Sequence, residues 1–113
     1  MPKNKAVTGS RSPKTSRQLE RHLKGVANHW RIEILLLIAE REDLSLDLIA
    51  REVGGNLKTI AEHVRRLGHA GLICKEYRGR SVAHSLSPYG RIFIRFLKIF
   101  SLSPSSAEAP AGR

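Results

Sequence analysis

A mainly α domain carrying one small β-hairpin is the fold class this sequence predicts, on three observations. Apolar residues recur at helical spacing through most of residues 17–70 and again after residue 88. Between those segments the period changes to short strand-like runs around a glycine. Two adjacent glycines, Gly54 and Gly55, separate two helical segments with almost no spacer. A chain of 113 residues has room for one such domain.

The elements follow in order. Leu19, Leu23, Val26 and Ala27 fall at i, i+4, i+7 and i+8, one apolar helix stripe, with Ser16 as its N-cap. "HWRIEILLLIAERE" (29–42) is apolar almost all round its middle, as a helix at the centre of a core is. In "SLDLIAREVGG", Ser45 caps, Leu46, Ile49 and Val53 share a face, and Gly54 supplies the stop. Asn56 caps the next helix, "NLKTIAEHVRRLGHAG", which buries Ile60, Val64 and Leu67. "LICKEY" (72–77) and "SVAHSL" (81–86) are the strands, and Gly79 between them is free to take a positive φ. Their inward face stays open: Ile73 and Val82 favour one side, Cys74 and Ala83 the other. Pro88 opens a last helix, "PYGRIFIRFLKIFSLS". Helices, a tight helix-turn-helix over 45–53 and 56–70, a two-stranded wing and a closing helix make a winged helix-turn-helix. Residues 1–16 are expected to be a disordered basic arm, 17–102 the folded domain and 103–113 a disordered tail.

Charge bears on partners. Twenty Lys plus Arg stand against ten Asp plus Glu, for a net +10. Double-stranded DNA is the first partner such an excess suggests and an anionic membrane the second. The longest apolar run, "ILLLIA" (34–39), is too short to span a bilayer, and the N-terminus has no apolar signal core, so a cytoplasmic protein is expected. The single cysteine, Cys74, excludes an internal disulfide and a thiolate cluster. Its readings are a redox switch beside Lys75 or simple packing. The five histidines have no short zinc spacing, so no metal and no cofactor is expected. No nucleophile–base pair, phosphate-cradling glycine loop or paired carboxylates are present, which argues against an enzyme.

The segments "LKGVANHWRIEIL" (23–35), "GNLKTIAEHVRRLGHAGLI" (55–73) and "RGRSVAHSLS" together resemble regulators of the arsenical-resistance repressor (ArsR) type. Ala27, Arg31, Ile34 and Leu35 match the family's opening pattern, with Asn28 for the usual Asp. Thr59, Ile60, His63, Leu67, Ala70, Gly71 and Leu72 match its recognition-helix pattern. The resemblance implies DNA binding, and repression by steric exclusion of polymerase from an operator. It does not carry metal sensing across. "DLSLDLIAREV" has no Cys or His where metal-sensing members have a cysteine pair, and "RIFIRFLKIF" holds no ligand.

Candidate DNA-binding residues are Asn56, Leu57, Lys58 and Thr59 at the start of the recognition helix, with Glu62, Arg65 and Arg66 further along it. Glu62 dissents: near phosphates it repels, unless it accepts from a cytosine amino group. His63 borders the buried stripe and is read as packing. Arg78 and Arg80 flank the wing turn, where guanidinium groups suit a narrow minor groove. The basic arm (Lys3, Lys5, Arg11, Lys14) reads equally as a DNA-reaching extension or a solubilising tail. Ile92, Phe93, Phe96, Leu97 and Phe100 exceed what a small domain buries. With Leu19 and Leu23 they form an expected homodimer surface on the N- and C-terminal helices. A membrane-lying amphipathic helix is the rival there, because Arg91, Arg95 and Lys98 share the segment. The alternative to DNA binding is a protein-interaction winged-helix module with incidental DNA affinity, motivated by Glu62 and the apolar last helix.

Overall fold

The computed structural model describes residues 12–102. The tail expected over 103–113, and the basic arm as far as residue 11, lie outside the described residues. In order come α1 (Ser16–Val26), α2 (His29–Glu40), α3 (Leu46–Val53), α4 (Leu57–His69), β1 (Ile73–Arg78), β2 (Ser81–Leu86) and α5 (Pro88–Ser101). None of these helices is long and apolar enough to cross a membrane.

Side-chain caps fix the helix starts. Ser45 Oγ accepts from the Leu48 N–H at 3.2 Å, and Ser87 Oγ from the Gly90 N–H at 2.9 Å, ahead of Pro88. Asn28 and Asn56 cap α2 and α4 through their Oδ1 atoms. Thr15, not Ser16, caps α1. Its hydroxyl accepts from the Gln18 N–H at 3.2 Å while Gln18 Oε1 accepts from the Thr15 N–H at 2.8 Å. Of the two candidate hydroxyls only Thr15 has a glutamine three residues on, which a reciprocal capping box requires. Helix α3 ends at Gly54 in the left-handed conformation, φ 74°.

The core is built around α2. Ile34, Leu35 and Ile38 are fully buried against Ile49 of α3 and Ile60 and Leu67 of α4. Each such side chain contributes about 1.5–3 kcal/mol of burial free energy. Leu72, Ile73, Leu86 and Ile94 close the other end. Trp30 packs on the edge of this core, half-buried.

The strands pair antiparallel from Ile73↔Leu86 to Arg78↔Ser81, leaving the two-residue loop Gly79–Arg80. Gly79, at φ 64°, holds the first central position, where only glycine turns this tightly without strain. Directly opposed residues share a face, so the open choice resolves: Ile73, His84 and Leu86 face inward and Cys74 is exposed. Ala83 is covered although it lies on the Cys74 side. A third contact was not legible in the sequence. The Asp43 N–H donates to His84 O and the His84 N–H to Leu44 O, both at 2.9 Å, which ties the α2–α3 loop to the wing.

Two histidines are held below their ordinary pKa of 6.5. Burial lowers His84, with Lys75 adding to it, while the bond to Leu44 O opposes. His84 Nδ1 lies 2.8 Å from that oxygen and, since a carbonyl only accepts, must carry the hydrogen. Burial lowers His63 too, with Arg31 next in effect. In both cases the unfolded chain binds the proton more readily. Stability is therefore complete above about pH 6.5 and falls as the pH drops through and below that value. Thermal unfolding from about pH 7.5 down to about pH 5 should show a declining midpoint. His84→Gln, which keeps a donor but does not titrate, should flatten part of that decline. A midpoint that rises on acidification would refute the assignment.

Candidate nucleic-acid interface

Helix α4 presents two unlike halves. At its start the Asn56 Oδ1 accepts from the Lys58 N–H at 2.9 Å and the Thr59 N–H at 3.2 Å. The cap therefore engages the carboxamide oxygen and leaves the amide NH2 outward. Leu57, Lys58 and Thr59 are exposed beside it. No carboxylate lies within ion-pair distance of Lys58 among the described residues. The buried stripe of Ile60, Val64 and Leu67 anchors the opposite side of the helix.

One turn further, the charges are tied together. Glu62 takes a forked pair from Arg65, Nε to Oε1 at 3.0 Å and the terminal nitrogen to Oε2 at 2.6 Å. Arg66 Nε reaches the same Oε2 at 3.0 Å. These hydrogen bonds, Arg65's first, hold the Glu62 carboxyl down at about 2. In return Glu62, through its hydrogen bond first and then its charge, raises the Arg65 pKa. Glu62 is thus an organiser of two arginines, and the repulsion expected of it is met within the helix. Arg65 also approaches His69 Nδ1 at 3.4 Å, with the ring nitrogen accepting.

The wing arginines are not equivalent. Arg78 donates to Glu76 Oε1 at 2.9 Å and lies 3.4 Å from Asp43 Oδ1, and Glu76 first, then Asp43, raises its pKa. Its guanidinium is drawn back along the strand. Arg80 has no carboxylate partner among the described residues and sits at the exposed tip. Tyr77, 74% exposed two residues before the tip glycine, was missed in the sequence. Alternation alone gave no signal for it until the strand register was known.

The five helices and the paired hairpin match solved structures closely. The chain has the winged helix-turn-helix fold. No protein-family model and no curated protein matches the sequence. The homodimeric winged helix-turn-helix DNA-binding domain of Mb0332 from Mycobacterium bovis, a possible ArsR-family transcriptional regulator, is 24% identical. That match covers 82% of this chain and 93% of that one, with a TM-score of 0.69. Reduced HlyU from Vibrio cholerae is 22% identical over 78% of this chain and 93% of that one, with a TM-score of 0.68. A possible transcriptional regulator for arsenical resistance is 23% identical over 80% and 98%, at 0.61.

In the winged-helix arrangement α4 is the second helix of the helix-turn-helix, and α1 and α5 lie together on another side. Leu19, Leu23, Ile92, Phe96 and Phe100 are all exposed there. Phe93 and Leu97 of the expected dimer set instead turn half-buried onto the core, while Ile99 and Leu102, outside that set, are exposed. The Phe93, Phe96 and Phe100 rings stand in a row with successive centroids 5.7 Å apart. Lys14, ahead of α1, sits with Nζ 4.0 Å over the Tyr89 ring.

Arg31 joins α1 to this interface. Its terminal nitrogen donates to the carbonyls of Lys24 and Gly25, both at 3.2 Å, and its Nε donates to His63 Nδ1 at 3.2 Å. One guanidinium thereby caps α1 and touches α4. Arg31→Lys keeps the charge but cannot reproduce the fork, and should lower stability by about 1–2 kcal/mol in urea denaturation. An unchanged midpoint would show that the fork contributes nothing.

Proposed function

We propose that the protein is a sequence-specific double-stranded DNA-binding transcriptional regulator acting as a homodimer, and a repressor through operator occupancy. The observation that carries this reading is the start of α4. Asn56, Leu57, Lys58 and Thr59 are exposed on a rigidly capped helix end, with Arg80 extending from the neighbouring wing. The Asn56 amide, the Thr59 hydroxyl and the Leu57 side chain suit base edges and a thymine methyl, while Lys58 suits phosphate. Arg65 and Arg66, held by Glu62, suit the backbone further along. Arg78, already paired, contributes less than Arg80. The exposed row on α1 and α5 suits a two-fold pairing that offers two recognition helices to a palindromic site. The winged-helix neighbour from M. bovis, itself homodimeric, supports this reading. The protein-interaction alternative loses its first motive, since Glu62 is occupied by two arginines.

Selection of bound duplexes from a random pool at two salt concentrations should return a palindromic site with a steep salt dependence. Equal affinity for all duplexes would refute the specificity. Within that assay Arg80→Ala should weaken binding several-fold more than Arg78→Ala, and most on A·T-rich flanks. Equal losses would remove the distinction drawn between the two. Ile92→Glu with Phe100→Glu should convert a dimer to a monomer in light scattering, and a dimer that survives would place the interface elsewhere.

A further inference from the structure

Beside the interface described above, and sharing Arg65 and Arg66 with it, lies a further charged feature. A cleft of about 270 Å³ opens between α1 and the C-terminal half of α4, lined by Arg21, Lys24, Arg31, Arg65, Arg66 and His69. Its floor is Gly25 against Ala70, where a side chain on Gly25 would collide with the Ala70 Cβ. We propose that this cleft is a phosphate-binding site, taking the oxyanions of a phosphodiester backbone or of a free polyphosphate.

The cations come from three helices, α1, α2 and α4, so the cleft is not one solvated helix face. Two carboxylates stand close by: Glu20, 3.2 Å from Lys24, and Glu62, engaged with Arg65 and Arg66. Arg21 and Arg31 have no carboxylate within ion-pair distance among the described residues. Like charges gathered without matching acids repel, and an anion relieves that repulsion. Several of the donors are also held in place beforehand. Arg31 is pinned by two carbonyls and His63, and Arg65 by Glu62 and His69. Binding then costs less side-chain entropy than it would on free surface arginines. The Arg21 guanidinium, the terminal nitrogens of Arg66 and the second terminal nitrogen of Arg31 are the donors left to meet phosphoryl oxygens. Among the described residues His69 is the one aromatic ring lining the cleft, so it selects charge and shape rather than a nucleobase.

Two sources supply that chemistry. Arg66 lies eight residues, about 12 Å of helix rise, beyond Lys58. That is close to the ~12 Å width of a major groove, so α4 inserted at its start would bring the cleft to the flanking strand. This source rests on the proposed function. The other, a free polyphosphate, does not.

The test is titration of the full chain with inorganic tripolyphosphate, followed through the arginine Nε–H resonances without DNA present. We expect saturable shifts confined to Arg21, Arg31, Arg65 and Arg66. Arg21→Gln with Arg66→Gln, both exposed side chains, should weaken binding about tenfold or more with the unfolding midpoint unchanged. Shifts spread evenly over all arginines, no saturation, or equal affinity in the variant would overturn the proposal. A second arm names the source with duplex DNA and Arg21→Gln/Lys24→Gln. If the backbone fills the cleft, tripolyphosphate competes with the duplex and the salt slope falls by about 1–2. If the ligand is free polyphosphate, both bind at once and the slope is unchanged. A chain that failed to bind DNA would remove the proposed function, while the first arm would still decide the cleft.

Discussion

The placement of α1 on α4 is the constraint on which the other surfaces depend. Little apolar burial holds it: His22 and Val26 are the buried residues of α1. In place of a wide apolar seam there are a close approach and directed hydrogen bonds. Gly25 lets the two backbones meet at Ala70, His22 Nδ1 donates to Ala70 O at 2.7 Å, and Arg31 gathers the last carbonyls of α1. A helix docked this way keeps its apolar side for something else. Leu19 and Leu23 therefore stay exposed next to α5, while Arg21 and Lys24 face the other way into the cationic cleft.

Carboxylates decide which cations remain available. The chain has half as many acids as bases. Where an acid lies near a candidate contact it sets the direction of an arginine rather than merely cancelling its charge. Glu62 fans Arg65 and Arg66 from one point on α4, and Glu76 with Asp43 draws Arg78 back from the wing tip. Exposed pairs of this kind add little stability. Their consequence is orientation: Lys58, Arg80 and Arg21 are left unpaired among the described residues, each on a different element.

Much of the fold was legible because its signals are local. Ser45, Asn56 and Gly54 announce helix ends through backbone hydrogen-bond needs that few residues meet, and the stripe Ile60, Val64, Leu67 fixes which way α4 turns. What escaped depends on contacts between residues far apart in sequence. Arg31 and His63, the Leu44–His84 bridge, and the pairing of Arg78 with Asp43 carry no periodicity. The Glu62 pairing is a different case: Arg65 and Arg66 stand at i+3 and i+4, a spacing visible in the sequence, but it takes the structure to show one carboxylate holding both. The apolar row on α5 is divided between core and surface. Of Ile92, Phe93, Phe96, Leu97 and Phe100, Phe93 and Leu97 are half-buried against the core and the other three are exposed. Periodicity finds an apolar helix more readily than it divides one between two surfaces.

That division bears on how the proposed dimer would meet DNA. Two recognition helices reading one face of a duplex must stand about 34–36 Å apart. In a dimer joined through α1 and α5, the path from the two-fold axis to α4 runs through the α1–α4 crossing. A contact mediated by Gly25 and Ala70 has only one methyl group between the backbones, so it fixes that distance more tightly than a layer of leucines would. Arg31 and His63 also tie α1 to α4, and they do so while His63 is neutral and accepts through Nδ1. A protonated ring would place a hydrogen on that nitrogen and remove the acceptor. Burial and the nearby guanidinium, which hold the His63 pKa down, thus favour the neutral ring that braces the crossing, and through it the spacing the proposed dimer would give its two recognition helices.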